Sequence, residues 1–195
     1  LNGYLNTAAA PDENYARELQ ELFTVGKGDD SLYTENDVIA AARVLTGWRI
    51  NGTTYTSYFD TGDHDTGSKS FSAFYNSTSI AGGTGQQELD ALINMIFNAT
   101  ETSKFICRKL YKWFVYYDID AATEANVITP LATILRNNNY EIKPVLDTLF
   151  KSEHFFDTLN QACYIKTPFD FIVGTLREFS TSFPAYTDYA AGYPL

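Results

Sequence analysis

The chain has 195 residues, enough for one compact domain with a sizeable core. Its formal net charge of −10 argues against a phosphate-backbone partner, because nucleic-acid binding concentrates Lys and Arg. No apolar run of about 18 residues exists, so no segment reads as a membrane-spanning helix.

The first helix is expected from Asp12 to Val25. Pro11 precedes it, Asp12 and Glu13 suit its positive N-terminal end, and Gly26 is placed as its stop. Tyr15, Leu19, Leu22 and Phe23 fall at i, i+4, i+7 and i+8, one apolar stripe. Thr34 with Asp37 three residues on reads as a capping pair. The helix it opens, 35–46, is apolar nearly all round through Val38, Ile39, Ala41, Ala42, Val44 and Leu45, which predicts burial. Arg43 is its only basic residue and needs a carboxylate partner.

Asn51-Gly52 lies between short β-prone runs and predicts a hairpin over 48–59. Residues 60–86 turn polar and rich in Gly, Ser and Thr. They read as one long irregular loop, a feature that is functional or mobile in a compact domain. Helical patterning resumes near Gln87, with Leu89, Leu92, Ile93, Ile96 and Phe97 on one stripe. Thr100 or Glu101 opens the next helix, with Phe105, Ile106, Leu110, Trp113 and Phe114 inward. Asp120 caps a helix that runs to about Asn138. Pro144 sits in the first turn of one ending near Lys151, and Thr167-Pro168 starts the last, ending near Ser180.

The expected class is all-α: a multi-helix orthogonal bundle with a minor β-hairpin. It forms a single domain over 1–183, followed by a frayed tail at 184–195. Cys107 and Cys163 make neither a metal site nor a disulfide framework. Cys107 reads as a buried free thiol, with a Cys107–Cys163 bridge as the alternative.

Several segments together resemble one bacterial family of unknown function, DUF1800. They are Asn14 to Gly26, Tyr33 to Val38, Ala42 to Trp48, the run from Phe59 through His64-Asp65-x-Gly67-x-Lys69, and the Thr102-to-Phe114 helix with Lys109-Leu110. Their order and spacing agree over about residues 1–180. Members are usually longer at both ends, so the chain reads as a piece of a longer protein. A Leu-Gly turn typical after Lys69 is replaced by Ser-Phe-Ser-Ala-Phe. The resemblance implies export to the periplasm, envelope or medium, and a sulfatase-like partner encoded nearby. It brings no settled activity.

The candidate catalytic constellation is Glu18, Glu21, His64 and Asp65. Asn14, Arg17, Glu18 and Glu21 share one stripe beside the apolar face of the first helix. His64-Asp65 lies in the glycine-punctuated loop, which can fold back over that helix. Glu18, His64 and Asp65 could then hold a divalent metal, or the four groups could serve as general acid and base. The structural alternative makes Arg17 and Arg43 ion-pair partners of Glu18 or Glu21, and Asp65 a turn former.

Lys104, Arg108 and Lys112 recur at i, i+4 and i+8, a basic stripe that could dock an anionic group or an acidic partner. Its alternative is a solvated face balanced by nearby acids. Tyr55, Tyr58, Phe59, Phe71, Phe74 and Tyr75 bracket the polar loop, either to stack on sugar rings or to pin the loop to the helices. Two functions stay open. One is an exported or envelope-associated interaction module acting with the sulfatase-like partner. The other is a metal-dependent or acid/base hydrolase acting on a saccharide or sulfated polymer. We favour the module, because the carboxylates already have a structural explanation.

Overall fold

The structure, a computed structural model, describes residues 6–161, 163 and 165–182. The expected tail at 184–195 lies outside the described residues.

Helix α1 (Glu13–Glu18) is capped by the Asp12 carboxylate, which accepts the Asn14 N–H. It runs on without a break into a π-helical segment, Leu19–Thr24. That segment changes which side faces inward. Ala16, Gln20, Thr24 and Val25 are buried, while Leu22 and Phe23 are 48% and 57% exposed. Of the expected Tyr15-Leu19-Leu22-Phe23 stripe, Tyr15 and Leu19 pack against the core, but Leu22 and Phe23 do not, because a π turn takes more residues per turn than the 3.6 that the stripe assumes. Gln20 uses its position fully: its amide donates to the Ala16 carbonyl, and its Oε1 accepts the Tyr75 hydroxyl at 2.8 Å. Gly26 ends the helix as expected, with φ of +86° and its N–H on the Gln20 carbonyl. A Cβ there would lie 2.4 Å from the Phe105 ring, so both conformation and space require glycine.

Helix α2 (Glu35–Val44) starts with the reciprocal capping box of Thr34 and Asp37. Asp37 is fully buried, and its other oxygen accepts the Ser72 N–H at 2.6 Å. Ala40, Ala41 and Ala42 are buried on its surface, small enough to let α1 pack closely.

Strands β1 (Trp48–Ile50) and β2 (Ser57–Phe59) form the expected antiparallel hairpin, with Trp48 opposite Phe59. Its turn is wider than an Asn-Gly pair suggests. Asn51 Oδ1 accepts the N–H groups of Thr53 and Thr54, and the left-handed residue is Tyr55, not Gly52.

The stretch 60–86 is not one irregular loop. Strands β3 (Lys69–Ser70) and β4 (Ser79–Ile80) pair antiparallel, with a 3-10 turn at Ala73–Tyr75 between them. Phe71, Tyr75 and Ile80 from this stretch are buried in the core. Of the bracketing aromatics, Tyr55 and Tyr58 instead face solvent, at 84% and 48% exposed.

Helix α3 (Gly85–Asn98) opens with a Thr84/Gln87 capping box. Helix α4 (Thr100–Phe114) follows after Ala99. Cys107 and Tyr111 face the core and the expected Ile106 and Leu110 pack against it, whereas Trp113 and Phe114 are 66% and 41% exposed, so the inward face of α4 is the expected one only in part. Asp120 caps α5 (Ala121–Thr123), which continues through a π segment, Glu124–Ile128, into α6 (Thr129–Asn137). Helices α7 (Ile142–Lys151), α8 (Glu153–Phe156) and α9 (Pro168–Glu178) complete the described chain. The class is thus mostly helical, with two small sheets.

Buried apolar side chains form two clusters. One joins α1, α2, α3 and the 60–86 stretch, and the other joins α4, α6 and α7. Both cysteines are free, so the Cys107–Cys163 bridge is not formed. Burial pushes the Cys107 thiol up to about 12, which keeps it protonated and inert.

Asp37 caps α2 and holds Ser72 from a site without solvent. We expect Asp37→Ala to cost about 2–3 kcal/mol, and Thr34→Ala only about 1 kcal/mol. Urea unfolding measures both. Equal losses would mean that the Ser72 contact contributes nothing.

Candidate functional site

The strongest concentration of polar chemistry is a buried ionic network between α2, the 60–86 stretch and α3. Arg43 leaves α2 and meets Asp65 with both oxygens, at 2.7 and 3.0 Å. Its third contact is the Ser68 carbonyl at 3.2 Å. Asp65 also accepts the Gly67 N–H. Lys69, with no exposed surface, reaches Glu88 on α3 at 2.5 Å and donates to the Asp65 carbonyl. Glu88 is 1% exposed, and its other oxygen accepts the Gly83 N–H at 2.8 Å. His64 lies against that same oxygen through Nε2 at 3.1 Å. Its Nδ1 is 2.9 Å from the Thr46 carbonyl. Thr46 Oγ1 accepts the Asp65 N–H.

Local chemistry explains the arrangement. Gly82 lets the chain turn back onto the network, since a Cβ there would sit 2.0 Å from the Thr66 carbonyl oxygen. The N-terminal end of α3 presents Glu88 one turn inside the helix, where its charge is favourable. Phe59 covers the His64 ring edge-on at 5.0 Å between centroids. The network holds Arg43 and Lys69 against Asp65 and Glu88, so two formal cations balance two formal anions. The Arg43 guanidinium beside Asp65 holds its carboxyl below the usual carboxylate range, and the Gly67 N–H adds to this. Lys69 and Glu88, the desolvated members, are stable there only because each is paired, while Arg43 and Asp65 stay half-buried.

The structure does not join the four expected catalytic residues. His64 and Asp65 enter the network, but through Glu88 and Arg43. Glu21 pairs with Lys27 at 3.3 Å. Among the described residues the Glu18 side chain makes no hydrogen bond or ion pair. No group of three or more His, Cys, Asp or Glu side chains is placed to share a metal ion among the described residues. Arg17 pairs with Glu35 and Glu13, so neither Arg17 nor Arg43 takes Glu18 or Glu21 as partner.

The basic stripe on α4 is largely neutralised. Arg108 clasps Glu124 at 2.8 and 2.7 Å and also meets Glu101 and Asp30. Lys104 lies 3.7 Å from Glu124. The Arg108 guanidinium holds the Glu124 carboxyl below its usual range, while burial raises that of Glu101. Lys112 is exposed and has no carboxylate partner among the described residues.

Sequence reasoning overlooked Glu88 as a site residue, and took Lys69 only as part of a motif. A signal for Glu88 exists. It lies four residues before Leu92 and eight before Ile96, on the apolar stripe of α3, where a carboxylate must find a buried cation.

Comparison with known proteins adds one finding. The family described as a protein of unknown function (DUF1800) matches residues 1–192 of the chain. No curated protein and no solved structure matches it.

Two predictions follow from the network's charge balance. Lys69→Met strands Glu88 and should cost about 3–5 kcal/mol in urea unfolding. In a Lys69→Met/Glu88→Gln double-mutant cycle we expect coupling of at least about 1 kcal/mol; additivity within about 0.5 kcal/mol would contradict the pairing. The second concerns pH. The folded-state pKa of Asp65 is lowered, so its contribution is complete above the ordinary value of 3.8 and is lost as pH falls through the lower folded value. Arg43→Gln should therefore flatten the loss of stability on acidification below pH ~4. An unchanged acid limb would show that Arg43 does not hold Asp65 ionised.

Proposed function

We propose that this chain, which belongs to the DUF1800 family, is a non-catalytic interaction module. The observation that carries the reading is helix α9. Phe169, Ile172, Val173 and Leu176 recur at i, i+3, i+4 and i+7, the spacing of a helix that buries one side. Yet α9 has no buried residue among those described, and Phe169 and Ile172 are 75% and 55% exposed. Phe171 and Phe179 add further exposed aromatic surface at 63% and 77%. Contiguous apolar surface of this kind is a mark of protein contact. The ionic network supports the same reading, because His64, Asp65 and Glu88 are engaged in holding the fold.

Export and a sulfatase-like partner complete the proposal, and both rest on the family resemblance. The hydrolase alternative requires Glu18 or Glu21 to join His64 and Asp65 around substrate or metal. It has no specific contact in its favour.

Mixing the natively purified full-length protein with the sulfatase-like protein encoded nearby tests the proposal. By calorimetry we expect a defined complex, weakened at least about tenfold, or about 1.4 kcal/mol, by Phe169→Asp with Ile172→Asp. Absence of a complex would contradict the module. Elemental analysis beside a His64→Ala control tests the alternative. A stoichiometric divalent metal lost in the variant would replace the module with the hydrolase.

A further inference from the structure

A second feature lies away from the ionic network, where the C-terminal ends of α3 and α6 meet. A cavity of ≈ 470 Å³ is lined there by Asn94, Phe97, Asn98, Arg136, Asn139 and Tyr140. Its size falls within the range of small-molecule sites.

Arg136 is the first reason to read it as a site. Arg17, Arg43, Arg49 and Arg108 each meet a carboxylate. Arg136 is half-buried yet meets only hydroxyls: Nη1 donates to Ser103 Oγ and Nη2 to Thr133 Oγ1 at 3.3 Å. In a chain of net charge −10 it has no carboxylate partner among the described residues. The two hydroxyls fix the guanidinium plane without neutralising it. A fixed, unneutralised guanidinium with spare N–H groups is suited to a planar or tetrahedral oxyanion.

The aromatic wall is the second reason. Tyr140 donates its hydroxyl to the Phe97 carbonyl at 2.5 Å, and its ring meets Phe97 edge-on at 4.5 Å between centroids. Its position is obtained through an uncommon backbone. Asn139 and Tyr140 both take left-handed φ, at 49° and 61°, as the Tyr140 N–H closes onto the Leu135 carbonyl. For a bulky residue such as Tyr140 that conformation is costly.

The amides are the third. Asn94, Asn98 and Asn139 are exposed at the cavity, and each side chain offers both donors and an acceptor. Paired donor and acceptor groups suit neighbouring hydroxyls, and an aromatic wall suits the apolar face of a sugar ring.

We propose that this cavity binds a sugar ring bearing a carboxylate or sulfate group. Arg136 takes the oxyanion, Phe97 and Tyr140 form the wall, and the three asparagines hold hydroxyls. The site does not depend on the partner reading above.

An NMR titration that follows the side-chain amides of Asn94, Asn98 and Asn139 tests the assignment. The probes are a glucuronate-containing disaccharide, a 6-sulfated disaccharide, neutral cellobiose and inorganic sulfate. Either anionic sugar should shift those amides, with cellobiose and free sulfate each at least about tenfold weaker. Arg136→Gln should erase the preference for the anionic sugar over cellobiose. Asn94→Ala, at an exposed position, should weaken both sugars without altering the thermal midpoint, which keeps the test valid should Arg136→Gln not fold. The proposal is overturned if no probe shifts these amides, if neutral and anionic sugars bind alike, or if free sulfate binds as well as the sulfated sugar. It is overturned equally if both variants bind like the parent protein.

Discussion

The Lys69–Glu88 pair is the constraint on which the N-terminal half of the structure depends. Both side chains are removed from water, and neither is tolerable there alone. Their contact ties β3 to the first turns of α3. Through Asp65 the same network reaches Arg43 on α2, and through His64 it reaches the end of that helix at Thr46. A polar stretch with few local rules is thereby held at fixed points on two helices. Once it is held there, Phe71, Tyr75 and Ile80 can enter the core, and the Tyr75 hydroxyl can satisfy Gln20 in the π segment of the first helix. The π segment, the second sheet and the network thus support one another.

What the sequence made legible divides along the same line. Local signals read well. Thr34 with Asp37, Asp120, Pro144, Thr167-Pro168 and Gly26 all act at the helix ends where their chemistry belongs. The hairpin at 48–59 also read correctly, because β-prone runs flank a turn residue. Errors arose where a 3.6-residue period was assumed across a π turn, which rotated Leu22 and Phe23 outward. The 60–86 stretch was illegible for a different reason. Its order comes from charges and hydrogen bonds to residues far along the chain, such as Asp37, Arg43 and Glu88, and no local pattern encodes those.

The candidate site was half legible for the same reason. His64 and Asp65 stood out as chemistry-bearing residues in a glycine-punctuated loop, and both lie in the network. Their partners were misassigned to the first helix, because only Arg17 and Arg43 were weighed as cations for its carboxylates and Glu88 lay unnoticed on an apolar stripe. The consequence for function is a separation of roles. The most reactive-looking groups stabilise the fold, while the unneutralised features are an apolar helix face on α9 and an uncompensated Arg136 beside aromatic rings.

Amide hydrogen exchange across residues 60–84 tests this account most directly. The informative amides are Asp65 on Thr46 Oγ1, Phe71 on the Thr78 carbonyl, Ser72 on Asp37 and Gly83 on Glu88. If buried charge holds the stretch to the helices, these four should exchange as slowly as interior amides of α2 and α3. Exchange at the rate of an unprotected peptide, with α2 and α3 still protected, would show that the stretch opens independently and that the network does not hold it.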